Sequence, residues 1–394
     1  MSFIKNIRKV IQKNIREYGM FIALFIIMAI FTIMTKGIFI SSRNISNLLN
    51  QTGYIAVLAV GMTLVIVVRH IDLSVGFLAG FLGAVAAIAM VSWQLPVYVA
   101  IPLVLTLGVL AGLATAFLVA QMRIPSFVAS LAGWLIYRGA ILLVTMGTGT
   151  IIIPNDAFNA IGNGFIPDIP DIGILPGVHK LTLILGLVLI ILLIINQIND
   201  RRKKQVYEFD VLPMNMFVLK LVFVSVLIFG ITWVLAGYNG LSWTVVIVLV
   251  VVGIYSFITS ETVLGRYIYA IGGNPEAAEL SGVSVKKLIY VVFGSMGMLS
   301  ALSGVLFSSR LQSATTTAGT LFELDAIAAA YVGGVSAAGG VGKITGSIIG
   351  ALVMMSLTNG MNLMGIDISL QYMVRGAVLV AAVIFDVATR STGK

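Results

Sequence analysis

Cysteine is absent from this chain, which excludes disulfides and thiolate sites. Histidine occurs twice, at His70 and His179, too far apart for the paired spacing of a histidine metal site. Charge is scarce as well: 10% of the 394 residues are charged, while 59% are apolar against a usual share of about 45–50%. That balance excludes a soluble globular protein. The motifs of hydrolytic chemistry, H-E-x-x-H and G-x-S-x-G, are missing. Gly339-Gly340-Val341-Gly342-Lys343-Ile344 imitates a phosphate loop, but Ala337 stands where its first glycine belongs and Ile344 where Ser or Thr would meet magnesium. No catalytic residue, metal or cofactor is expected.

What the chain does have is apolar length. At roughly 25–30 residues per crossing and loop, it has room for about ten to twelve helices, and no tail or loop is long enough for a separate soluble domain. The expectation is an all-α polytopic transmembrane helix bundle, one domain over 1–394. Residues 1–18 set Ile4, Ile7, Val10, Ile11 and Ile15 on one helical face and Lys5, Lys9, Lys13 and Arg16 elsewhere, an amphipathic helix for the membrane surface. Apolar runs follow at about 19–35, 53–68, 73–91, 96–120, 126–146, 181–195, 217–235, 242–258, 288–308, 325–338, 344–359 and 370–387. The second and tenth are the runs that can be broken or re-entrant. Ser41, Ser42 and Asn44 are candidate caps for a short surface helix over 37–51, and Pro102 predicts a kink.

The net charge of +9 reads as topology and not as nucleic-acid binding, because basic residues gather in short loops and at the two ends. Alternating from a cytoplasmic N-terminus puts the 147–179 loop, with four prolines, three Asp and no Lys or Arg, outside. It puts the basic loop 200–216, the loop 262–287 and the C-terminus inside. A parallel internal repeat is suggested by Leu49–Thr63 and Leu321–Ser336, each with an Ile-Ala pair and then Val-Gly before a polar break and a glycine helix. Broken helices at matching places point to a transport pathway near the centre.

Four features carry candidate roles. Thr262–Lys287 is the well-formed polar segment of the second half. Asn274 suits an N-cap, Pro275 the first helical position, Glu276 the positive end of the dipole and Gly282 a left-handed stop. Ser284 can cap the next helix. A two-turn helix cannot persist alone in water, so it needs a docking surface. Gly76-x3-Gly80 and Gly342-x3-Gly346-x3-Gly350 either pack helices or line a moving interface. In the break Arg69-His70-Ile71-Asp72-Leu73-Ser74-Val75-Gly76, Asp72 can cap the following helix or pair with Arg69, and Ser74 can cap or meet a polar ligand. Glu323, Asp325, Arg138, Arg375 and Asp386 are further intramembrane charges, most of them near predicted helix ends where the charged group reaches the interface.

At Gly265-Arg266-Tyr267-Ile268-Tyr269-Ala270-Ile271-Gly272-Gly273-Asn274-Pro275-Glu276-Ala277-Ala278 the sequence resembles the permease subunits of bacterial ABC sugar importers. These form the ribose and branched-chain amino acid permease group, and the xylose-type members are the most alike. Asn44–Leu49, Ile71–Gly76, Pro125-Ser126-Phe127, Glu323–Ala329 and Ala338–Gly342 recur in order, so the resemblance covers nearly the whole chain. The basic loop 200–216 suits the longer, xylose-type members. Arg69-His70 departs from the family pattern of small or acidic residues there.

The resemblance implies a multi-pass subunit of the bacterial inner membrane with both termini cytoplasmic, paired with a second permease copy and embedded in lipid. It also implies a cytoplasmic ABC ATPase and an extracytoplasmic sugar-binding protein as partners, with no nucleic acid. It makes Gly273, Asn274, Pro275, Glu276, Ala277, Ala278, Glu279 and Ser281 the ATPase-coupling helix. Asp72, Ser74, Gly76, Asp325, Gly339, Gly340 and Asn359 are the pathway candidates. The expected cargo is a monosaccharide, xylose or another pentose, with ribose or galactose as alternatives. The rivals are a stand-alone secondary transporter, with Asp72 or Asp325 at its ion site, and a structural membrane subunit.

Overall fold

The computed structural model describes residues 15–170, 173, 175–209 and 211–391, without the side chains of 15–18 and 389–391. The surface helix expected over 1–18 therefore lies outside the described residues, except for 15–18, which open the first helix. The chain forms α1 (Ile15–Met34), α2 (Ser42–Val67), α3 (Val75–Val91), α4 (Val97–Ala120), α5 (Ser126–Thr145), β1 (Thr150–Ile152) and α6 (Asp156–Asn163). It continues as α7 (Lys180–Val206), α8 (Met214–Ala236), α9 (Trp243–Glu261), α10 (Val263–Gly273), α11 (Pro275–Leu280) and α12 (Val285–Leu311). Strand β2 (Ser313–Thr315), then α13 (Phe322–Val332), α14 (Ile344–Leu363) and α15 (Ile368–Ser391) complete it.

Each of the twelve apolar runs expected from the sequence holds a helix, although the tenth, 325–338, leaves it at Val332 for a turn. Among the described residues nine helices are long and apolar enough to cross a membrane, and Gly19–Met34 and Val75–Val91 are shorter apolar helices. The remaining run is α13, whose 11 residues rise about 16 Å, roughly half of a hydrocarbon core.

Two compact units emerge. One is built from the residues before Ile40, Leu48–Gly164 and Thr244 onward; the other from Ile40–Asn47 and Phe165–Trp243. In the first, α12 is the central element. A Cβ at Gly108 or Gly112 of α4 would collide with the carbonyls of Gly297 and Phe293, so the two helices run antiparallel at backbone contact. On another face, Gly83 of α3 meets Gly304 in the same way. With little hydrophobic force between helices in lipid, such small-residue contact supplies the packing energy. One end of this unit is closed by the antiparallel pair β1–β2 (Ile151 opposite Ala314) over a core of Val85, Ala89, Ile141, Ile153, Phe158 and Val305. In the second unit α7 and α8 pack as a hairpin, with Gly186 against Thr232.

Three boundaries differ from the sequence reading. The polar 37–51 stretch does not form a separate surface helix: α2 runs unbroken from Ser42, capped by the Ser41 hydroxyl on Asn44 N, and buries Asn44, Ser46 and Leu48 in its first turns. The basic stretch opening 200–216 is the helical end of α7, where the cations Lys203 and Lys204 suit the negative pole and Lys204 bonds Asp200 at 2.8 Å. The extra residues before Asn274 are themselves a helix, α10. The Thr262 hydroxyl caps it by accepting from Gly265 N, and Ile268 and Ile271 are its buried stripe.

Candidate functional site

At one end of the first unit, α10 and α11 make the capped segment expected from the sequence. Asn274 Oδ1 accepts from Ala277 N at 3.0 Å, Pro275 takes the first helical position and Glu276 lies in the first turn. The helix stops at Ser281 before Gly282, whose φ of +85° a side chain would strain. Ser284 occupies the N-cap position of α12 without a side-chain cap bond. Ala278 and Val283 are buried, whereas Gly273, Asn274, Glu276, Ala277, Glu279 and Ser281 face outward. Leu280 is 91% exposed, a bare apolar side chain among charges.

Gly339 and Gly340 lie against this segment. Gly340 N donates to Val67 O at 2.9 Å, and a Cβ on Gly340 would crowd Gly273 N. Arg69 closes the junction by donating from Nε to Gly272 O at 2.7 Å and from Nη2 to Gly273 O. It does not pair with Asp72. A guanidinium at the end of α10 meets carbonyls that have no helical partner, and these outweigh a carboxylate three residues along the chain.

The break before α3 holds Asp72 and Ser74, both buried. Asp72 Oδ1 accepts from Ser74 N at 2.9 Å and from Ser74 Oγ at 2.6 Å, so the carboxylate satisfies the start of the helix and Ser74 Oγ caps nothing itself. One turn on, a Cβ at Gly76 would strike the Glu323 carboxylate and Gly319 O, which brings the start of α13 against the start of α3.

Helix α5 completes this wall with residues the sequence reading did not combine. Trp134, Tyr137 and Arg138 are spaced i, i+3 and i+4, hence share one helical face. Trp134 Nε1 donates to Glu323 Oε1 at 3.0 Å and its ring meets Phe77 edge-on, while Arg138 lies over the Phe77 ring and donates to Thr316 O at 2.8 Å. Their spacing was the available signal; the turn segment they face, 316–321, is irregular and has none.

Asp325 points elsewhere. Both of its oxygens accept from Arg375 Nη1 of α15, at 2.8 and 3.0 Å, and Tyr372 lies beneath the guanidinium. Asn359 is buried on α14 and donates to Gln51 Oε1 of α2 at 3.5 Å. Asp386 Oδ2 accepts from Ala337 N at 3.2 Å. The charges assigned by sequence to helix ends thus face protein: Glu323 and Asp386 are buried, Arg138 and Arg375 half-buried. The seven pathway candidates divide into Asp72, Ser74 and Gly76 at the break before α3, with Gly76 against Glu323; Asp325 and Asn359 on separate helix contacts; and Gly339 and Gly340 at the capped loop.

Comparison with known proteins places this geometry. The model of the family described as branched-chain amino acid transport system / permease component matches residues 44–168 and 172–383. The chain is 38% identical over 377 residues to the xylose transport system permease protein XylH of Haemophilus influenzae, covering 96% of this chain and 97% of that one. It is also 38% identical to the protein of the same name from Escherichia coli K12, over 96% and 93% of the two chains. To the ribose import permease protein RbsC of H. influenzae it is 34% identical, over 94% and 93%. No solved structure matches. With more than three quarters of its residues inside the family model and nearly its full length shared with these permeases, the chain belongs to the family of branched-chain amino acid transport system permease components and is a membrane transport subunit, not an enzyme.

Proposed function

We propose that this permease carries a monosaccharide, a pentose such as xylose, inward across a bacterial inner membrane, driven by a separate ABC ATPase. The observation that carries the reading is the capped helix α11. It is six residues long, anchored by Ala278 and Val283, and presents Leu280 bare beside Glu276 and Glu279. A helix so short gains nothing from solvent exposure, and a bare Leu among charges suits the groove of a partner. The basic loops on that side, Arg123, Arg266, Lys286 and Lys287, fit a cytoplasmic face by the positive-inside rule, with both termini on the same side. A sugar-binding protein would dock at the β1–β2 end and a second copy of the chain would complete the passage within the lipid.

The pentose assignment follows from near-complete alignment with two xylose permeases and the lower identity to a ribose permease. A neutral sugar needs hydrogen-bonding groups and few charges. Asp72, Ser74, Gly76, Asp325 and Asn359 would line or support its route. The secondary-transporter alternative rests on Asp72 or Asp325 as an ion site, but Asp325 already holds Arg375 and Asp72 already holds Ser74.

The test is uptake of labelled xylose, ribose and galactose into vesicles holding this chain, its ATPase and its binding protein. Uptake is expected to require ATP and to favour xylose. Uptake that runs without ATP along an ion gradient would overturn the importer reading; ATP-driven uptake favouring another sugar would overturn only the pentose assignment.

A further inference from the structure

Three backbone segments meet beneath the capped loop with almost no side chain between them. A Cβ on Gly272 would collide with Val67 O and Gly340 N; one on Gly339 would collide with the Arg69 side chain and crowd Gly272 O and Val67 O. The segments are the end of α2, the end of α10 and the 333–343 turn. Tyr269 OH of α10 adds a tie at 2.6 Å to Gly342 O.

Arg69 is the side chain that holds the junction. Its backbone turns left-handed at φ +66°, pinned by Arg69 N to Ile66 O and His70 N to Val65 O, both at 2.9 Å. Its guanidinium takes the last two carbonyls of α10, the negative pole of that helix. Three residues later the same connecting segment carries Asp72, and two beyond that Ser74 enters α3, where Gly76 lies against Glu323. The 333–343 turn leads back along the other branch into α13, which carries Glu323 and Asp325 at its far end.

We propose that Arg69 is the positioning residue that hands movement of the capped loop to this buried polar wall. Resting on the reading of α11 as the ATPase-docking helix, the proposal adds the link that makes docking matter. When α11 shifts, α10 moves with it. Arg69 draws the Asp72–Ser74 break, and the glycine contacts draw the end of α13. Both branches arrive at the same contact, Gly76 against Glu323, from opposite sides. Without the guanidinium, the loop moves and the break does not.

The test measures sugar moved per ATP hydrolysed in vesicles containing the full complex, for Arg69→Asn, Arg69→Lys and Ala278→Pro. Asn tolerates the left-handed backbone, so R69N keeps the turn while removing the clasp. R69N is expected to lower the ratio about tenfold or more, as loss of charge-assisted hydrogen bonds implies, with complex assembly retained and the unfolding midpoint only modestly lower. R69K keeps the charge but not the fork of donors and is expected to fall between R69N and wild type. A purely structural Arg69 would reduce uptake and hydrolysis together and leave the ratio intact, which overturns the proposal. If A278P collapses the ratio while R69N does not, Arg69 is not the link but α11 still docks. If A278P also leaves the ratio intact, the docking reading falls and takes the proposal with it.

Discussion

At the scale of single residues, the Asp325–Arg375 pair is the clearest electrostatic commitment in the first unit. The side chains are 12% and 16% exposed and joined at 2.8 Å. Removing one partner strands a nearly buried charge, whereas replacing both with apolar residues restores packing. Arg375→Met is expected to cost about 3 kcal/mol, and Asp325→Leu combined with Arg375→Met to recover most of it. The unfolding midpoint of the purified protein in detergent checks both. In the second unit, Asp168 accepts from Leu181 N and Lys180 N, and these bonds hold its carboxyl below the usual carboxylate range. A depressed carboxylate contributes above its ordinary pKa, and the contribution is lost as pH falls through the lowered value. Protection of the Leu181 amide, corrected for intrinsic exchange, should therefore hold down to about pH 4 and then decay. Asp168→Ala should remove it at neutral pH. Asp325 was legible in the sequence as a carboxylate in an apolar run. Its partner was not, because Arg375 lies 50 residues away and sequence distance does not say which helices adjoin.

At the scale of elements, the twelve apolar runs were readable because lipid imposes length and composition on every crossing. Their edges were less so. The α2 boundary was missed because a polar start reads as surface, yet Asn44 and Ser46 are buried. The α7 end was missed because four consecutive cations look like a loop, although a helix favours cations at its last turn. The glycine stripes were left between packing and a moving interface, and Gly346 and Gly350 touch Gly333 and Ala329 at backbone distance. Gly350→Ala is accordingly expected to destabilise by about 1–3 kcal/mol through forced separation of α13 and α14. Gly253→Ala, in α9 with open space where the methyl goes, should instead be neutral or slightly stabilising by helix propensity, under about 1 kcal/mol. Thermal unfolding of the two variants side by side decides this. The cap at Asn274 was the most legible local structure, since every residue in it is specified by its own backbone demand.

At the scale of the whole molecule, the few charges serve two ends. Some lie in loops and at helix ends; those inside bond to neighbouring elements. What the sequence did not reveal is that the Asp72–Gly76 break, α5 and the start of α13 form one wall, because the intervening turn segment 316–321 has no periodicity to read. The brevity of α13 has a further consequence, for biogenesis. An 11-residue helix with two carboxylates in its first turn is too short and too polar to partition into the bilayer by itself. Its most extensive partners, α14 through the glycine contacts and α15 through Arg375, are both made after it, while the earlier α3 and α5 meet it at Glu323 in its first turn. The segment from Phe322 onward should therefore enter the membrane as one late unit rather than helix by helix. Chains truncated after Leu363, which lack α15, are expected to leave α13 accessible to a water-soluble label placed at Leu324, whereas full-length chains protect it. Helix α15, through Arg375, thus decides whether α13 is held in the membrane.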